Sequence, residues 1–134
     1  MPVKIQELNH VAIHVSDLDA SIHFYEQILE LPRLPRPDFD FGGAWFAFGS
    51  QELHLIEDTS LTPADRRHHH FALLIDDTYE ARANLESKGF TKFLSHGNRP
   101  DGAVQLFFLD PDGYRIEMYS TVCNDGSKGD TSIK

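Results

Sequence analysis

Hydrophobic and polar positions alternate through Leu8-Asn9-His10-Val11-Ala12-Ile13-His14-Val15, with Val11, Ile13 and Val15 on one side and His10, Ala12 and His14 on the other. A period of two marks a half-buried strand. From Leu18 to Leu31 the period changes. Ile22, Tyr25, Ile28 and Leu29 keep helical spacing, and Ser16-Asp17 ahead of them is a capping signal. Pro32, Pro35 and Pro37 stop that helix and impose an extended connection. Phe41 to Phe48 reads as a strand interrupted by Gly42-Gly43, Gly49-Ser50 as a turn, and Glu52 to Glu57 as the next strand. The polar stretch Asp58 to Arg67, which holds Pro63, reads as a linker.

The second half repeats the order. Strand 69–75 leads into a helix over Tyr79 to Lys88 that Gly89 closes. Thr91 to Leu94 reads as a short strand, His96 to Gly102 as a loop, and Ala103 to Leu109 as a strand. Asp110-Pro111-Asp112-Gly113 is a turn signal before the last strand, Tyr114 to Ser120. The expected class is α+β, with two βαβββ modules. Aligning the halves puts His10 on His70 and Asp17 on Asp77, and sets Leu53-His54-Leu55 against Ile116-Glu117-Met118. His10, His54, His70 and Glu117 therefore fall at related points of the repeat, each on a strand face that alternates with an apolar one.

Length and composition narrow the reading further. A chain of 134 residues with 40% hydrophobic content can bury a real core. We expect one domain over 1–121, with modules at 8–57 and 68–120, and a flexible polar tail at 122–134. Net charge is −9, from 21 acidic and 12 basic residues. That balance disfavours nucleic acid and anionic lipid as partners, since both need lysine and arginine. The single cysteine, Cys123, excludes an internal disulfide framework and a cysteine-rich zinc cluster. With no apolar run of membrane length and no apolar leader, a cytoplasmic protein is expected.

The chemistry of the four repeated positions is that of a metal centre. Imidazole nitrogen with carboxylate oxygen suits Zn, Ni, Mn, Fe or Co, leaving coordination open to substrate or water. His14 shares the parity of His10 but lies farther along its strand, and His68 and His69 read as a polar loop end. Tyr119 has the parity of Glu117 and is a candidate substrate contact. Arg99 and Arg115 are candidates to meet an anion. Trp45 is a candidate pocket wall in the aromatic run with Phe46 and Phe48. Asp19/His23 and Glu80/Asn84 read as solvated helix surface.

Asn9-His10-Val11-Ala12-Ile13, Asp17 before a helix with Phe24-Tyr25, Leu53-His54-Leu55, His70-Phe71-Ala72-Leu73 and Asp110-Pro111-Asp112-Gly113-Tyr114-Arg115-Ile116-Glu117 together resemble the vicinal oxygen chelate superfamily. That superfamily includes glyoxalase I, methylmalonyl-CoA epimerase, fosfomycin thiol transferases and extradiol dioxygenases. The likeness spans Leu8 to Ser120 and implies a U-shaped mixed sheet around one divalent metal, in a site often shared across a homodimer. Carried over by position, His10, His54, His70 and Glu117 fall where glyoxalase I and the epimerases place metal ligands.

Departures from the subfamilies rank the activities. Ala12 stands where fosfomycin transferases carry threonine. Gly43-Ala44-Trp45-Phe46-Ala47-Phe48 offers no second acid for epimerisation. Glyoxalase I has glutamate or glutamine at the His54 position, and extradiol dioxygenases use two histidines and a glutamate without it. The sequence resembles most the uncharacterised glyoxalase-like single-domain proteins. The implied activity is a metal-dependent lyase or isomerase acting on a small oxygenated substrate, with Glu117 catalytic. The alternatives are an Fe(II) dioxygenase and a non-enzymatic small-molecule (antibiotic) binding protein.

Overall fold

The computed structural model describes residues 3–62, 64 and 66–121, with backbone only for 67 and 68. The expected tail at 122–134, Pro63 of the expected linker and the side chain of His68 lie outside the described residues. The chain divides into two compact units, 1–61 and 62–134.

The first unit runs β1 (His10–Val15), α1 (Leu18–Ile22) continuing as a π-helix (His23–Ile28), β2 (Arg33–Leu34), β3 (Gly43–Phe48) and β4 (Gln51–Glu57). Its four-stranded sheet has the order β1-β4-β3-β2. β1 and β4 are parallel, and the other neighbours are antiparallel. A parallel neighbour requires a crossover, which the helix supplies on one face of the sheet. Asp17 starts that helix by accepting from the Ala20 N–H, and α1 packs on β3 and β4.

The second unit repeats the plan with β5 (Arg66–Leu74), α2 (Thr78–Ser87), β6 (Phe93–Asn98), β7 (Val104–Leu109) and β8 (Tyr114–Ser120) in the order β5-β8-β7-β6. Asp77 caps α2 by accepting from the N–H groups of Tyr79 and Glu80. α2 packs on β7 and β8. Ala12 lies beside His54 in the parallel pair β1/β4, and Ala72 lies beside Glu117 in β5/β8. Trp45 opposes His54 across β3/β4, and Phe107 opposes Glu117 across β7/β8. The two halves thus match in register as well as in element order.

The helix-facing sides hold the cores. Ile13, Val15, Phe46, Leu53 and Leu55 are buried in the first unit, and Leu106, Phe108, Ile116 and Met118 in the second. Burial of such side chains contributes about 1.5–3 kcal/mol each. Among the described residues, no helix is long and apolar enough to cross a membrane.

Several boundaries depart from the sequence reading. β5 begins at Arg66, not at 69, and so takes in the end of the expected linker together with His68 and His69, which were expected at a loop end. β1 begins at His10, not Leu8, and β3 at Gly43, not Phe41. Phe41 instead sits in a loop where its carbonyl accepts from Arg36 Nη2 at 2.7 Å. The expected regular helix to Leu31 opens into π-helical bonding, with Leu29 N–H donating to Phe24 C=O. Phe24 and Tyr25 are consecutive and both buried. An α-helix turns about 100° per residue, and the wider π turn brings neighbours closer to one face. Finally, β6 runs from Phe93 to Asn98, starting later than the expected Thr91 and extending into the expected loop His96 to Gly102. Its Ser95 and His96 are buried although polar, because side-chain hydrogen bonding satisfies His96.

Candidate functional site

The sheet face turned away from α1 carries His10, Trp45, Glu52 and His54. Trp45 and His54 are stacked with ring centroids 3.9 Å apart and planes 3° apart. His10 stacks on His54 at 4.1 Å and 16°. Neighbouring strands are separated by about 4.8 Å, so a ring ladder across β3, β4 and β1 fits the pleat. His54 Nε2 lies 2.8 Å from Glu52 Oε1, and the His54 side chain is 12% exposed. His10 is exposed, with Nδ1 2.7 Å from Asn9 Oδ1.

The corresponding face of the second unit carries His70, Gln105, Phe107, Glu117 and Tyr119. Glu117 is buried, at 4% exposure. Its Oε1 lies 3.3 Å from His70 Nε2, and its Oε2 accepts from Gln105 Nε2 at 3.0 Å. Phe107 meets the His70 ring edge-on at 5.8 Å. The Arg99 guanidinium lies 5.6 Å from the Tyr119 ring centroid. A carboxylate removed from water is costly unless charged or hydrogen-bonding groups face it, and here an amide and an imidazole do.

The four sequence-predicted ligands therefore form two pairs, His10/His54 in one unit and His70/Glu117 in the other. Among the described residues, no group of three or more His, Cys, Asp or Glu is gathered in a way that could hold a metal. The His70/Glu117 pair has the donor chemistry and spacing of half an N/O site. The stacked pair does not fit as placed. A metal lies near the plane of each imidazole at about 2.0–2.1 Å from nitrogen, so one ion cannot serve two parallel rings. One ring must turn before both can ligate the same ion.

Other candidates are engaged elsewhere. His14 Nδ1 lies 2.9 Å from Asp58 Oδ2, and this hydrogen bond, with a second from Ser60, lowers the Asp58 pKa to about 2. Arg99 forms a two-pronged pair with Asp101 at 2.9 and 2.8 Å. That contact raises the Arg99 pKa and lowers that of Asp101 to about 2. Arg99 thus already faces a carboxylate. Arg115 lies opposite His70 in the β5/β8 register. Sequence reasoning passed over Glu52 and Gln105. Glu52 was visible through its shared parity with His54, but Gln105 needed the β7/β8 register.

Residues 7–118 match the model of the Glyoxalase/Bleomycin resistance protein/Dioxygenase superfamily. The chain belongs to that superfamily. It is 30% identical over 130 residues to the lactoylglutathione lyase of Neisseria meningitidis serogroup A, covering 90% of this chain and 94% of the relative. It is also 30% identical over 120 residues to the glutathione transferase FosA of Serratia marcescens, covering 86% and 81%. A crystal structure of a glyoxalase family protein from Bacillus anthracis matches with a TM-score of 0.77 at 27% identity, covering 90% of this chain and 98% of the other.

Proposed function

We propose that this protein is a metal-dependent lyase or isomerase of glyoxalase type that moves a proton next to a carbonyl of a small oxygenated substrate. The observation behind this reading is Glu117, a buried carboxylate between Ile116 and Met118, 3.3 Å from an imidazole and hydrogen-bonded by an amide. A strand builds in such a group at a cost in desolvation, which a function at that atom explains. A relative named lactoylglutathione lyase supports the same class.

His10, His70 and Glu117 would hold one divalent ion, Zn, Ni, Mn, Fe or Co, with His54 joining once its ring leaves the stack. Such an ion supplies Lewis-acid polarisation of a bound carbonyl. Glu117 would take the proton from the carbon next to the carbonyl and deliver it to the former carbonyl carbon, so that one carbon loses and the other gains it, with Gln105 and His70 holding the carboxylate in place. Tyr119, on the face of Glu117, would donate a hydrogen bond to the substrate, and Trp45, on the face of His54, is a further proposed substrate contact. Arg99, already turned toward Asp101, balances negative charge near Glu117. The working species is a homodimer, to be checked by light scattering, where a monomer at micromolar concentration would count against it.

The test is metal-reconstituted protein assayed with glutathione hemithioacetals. Glu117→Gln is expected to lower turnover by at least about 10²-fold, the contribution of a positioned acid–base group, while leaving the circular dichroism spectrum unchanged. Retained turnover in that variant would overturn the reading. One observation favours a second reading: His54 is held between Trp45 and His10 and tied to Glu52. A set of His10, His70 and Glu117 alone is the two-histidine, one-carboxylate arrangement of Fe(II) oxygenases. Catechol cleavage with iron alone would select it.

A further inference from the structure

We infer that Gln105 is a positioning residue for Glu117, one that holds Oε2 of the carboxylate and leaves Oε1 as the oxygen offered on the His70 side. The inference rests on the reading of Glu117 as the working carboxylate and names the residue that sets its orientation. Its basis is a 3.0 Å hydrogen bond between two side chains on adjacent strands. Gln105 lies opposite Tyr119 in β7/β8, two residue pairs from the Phe107/Glu117 pair, so the Gln105 and Glu117 side chains stand on one sheet face. An ionised carboxylate only accepts, and only the NH2 end of an amide donates, so this contact fixes the amide orientation.

The geometry distinguishes the two carboxylate oxygens. Without Gln105, the terminal torsion of a glutamate is broad and roughly twofold, so the oxygens exchange readily. With Oε2 held by the amide, rotation breaks a charge-assisted bond in a site with little water. Phe107, opposite Glu117 and edge-on to His70, adds apolar surface beside the pair. The first unit has no counterpart. Register places Gly43 where Gln105 stands, and a Cβ there would collide with the backbone carbonyl oxygen of Leu55. The clamp is specific to the half that carries the carboxylate.

The experiment measures Zn(II) and Co(II) binding to metal-free protein by calorimetry for wild type, Glu117→Gln, Gln105→Leu, Gln105→Asn and the double variant Gln105→Leu/Glu117→Gln. Removing an outer partner of a metal-binding group typically lowers affinity by about 10–100-fold. Gln105→Leu is expected to fall in that range with the melting temperature of the metal-free protein held. Gln105→Asn, one methylene shorter, is expected to behave the same way, and it covers the case in which leucine perturbs folding. The double variant is expected to bind no more weakly than Glu117→Gln, because both changes act through one carboxylate. Unchanged affinity in both Gln105 variants, with affinity lost in Glu117→Gln, would overturn the positioning role and leave the proposed function standing. Unchanged affinity in Glu117→Gln would overturn both. A lower melting temperature with unchanged affinity would make Gln105 a structural residue only.

Discussion

Replacing Gly113 by alanine tests whether the loop entering β8 is as tightly fixed as the geometry implies. Gly113 has φ +87, in the left-handed region that L side chains seldom occupy. Its added Cβ would land on the carbonyl oxygen of Ala64. The same loop makes Arg66 N–H to Gly113 C=O at 2.9 Å and Ala64 N–H to Asp112 C=O at 3.2 Å, so the clashing chain cannot retreat without disturbing them. The backbone term costs about 1–2 kcal/mol. Overpacking adds about 1–3 kcal/mol. Gly49→Ala is the matched control: φ there is +58 and nothing lies within 4 Å of an added Cβ. Urea denaturation of the two variants should place Gly113→Ala below Gly49→Ala by the overpacking term alone. Equal losses would refute the reasoning and show that the segment around Ala64 yields freely.

Three further outcomes are expected. His96→Leu breaks hydrogen bonds to Thr78 and Arg82 and strands the buried Thr78 hydroxyl, at about 1–3 kcal/mol in urea melts. The double variant with Thr78→Val should recover much of that loss. The Asp58 carboxyl is lowered to about 2 by His14 and Ser60, so its stabilising effect is complete above its ordinary value near 3.8 and is lost as pH falls toward 2. His14→Ala should bring the Asp58 midpoint back up in an NMR titration; an unmoved midpoint would reject the contact. Trp45 is the single tryptophan and stacks on His54, so zinc uptake that draws His54 from the ladder should change its emission. Unchanged emission in zinc-loaded protein would assign the three-ligand set instead.

Much of this architecture is legible in the chain because the fold is duplicated. The spacing of His10 from Asp17 equals that of His70 from Asp77, and in both units the aspartate caps the crossover helix. The alternation around Leu53-His54-Leu55 gave a strand face that burial matches, whereas Ile116, Glu117 and Met118 are all buried, so the carboxylate is covered on the face expected to be open. Where pattern failed, a local satisfaction replaced it. His96 opens an expected loop, yet it sits buried in β6, where α2 supplies its hydrogen-bond partners. The π-helical turn at Phe24-Tyr25 obeys a packing demand that helical periodicity does not encode. Parity could assign His10 and His54 to one face, but not whether their rings would stack or diverge. Gln105 escaped notice because its importance lies in a cross-strand neighbour.

The matched register also explains why two equivalent positions hold such different side chains. His54 and Glu117 occupy the same place in their sheets, yet a ring and a buried carboxylate need different surroundings. Around His54, Trp45 offers a flat face and Glu52 a hydrogen-bond partner, while Gly43 offers no donor. Around Glu117, Gln105 donates and Phe107 leaves the carboxylate in a dry setting, where each polar contact counts for more. A glutamate at position 54 would lack the amide that Glu117 has, and the aromatic opposite position 117, Phe107, meets the His70 ring edge-on where Trp45 stacks flat on His54. Each unit has therefore adapted its β3 or β7 residue to the donor on the next strand. Duplication supplied two superposable frames, and it is the cross-strand neighbours that give one frame an aromatic ladder and the other an oriented charge.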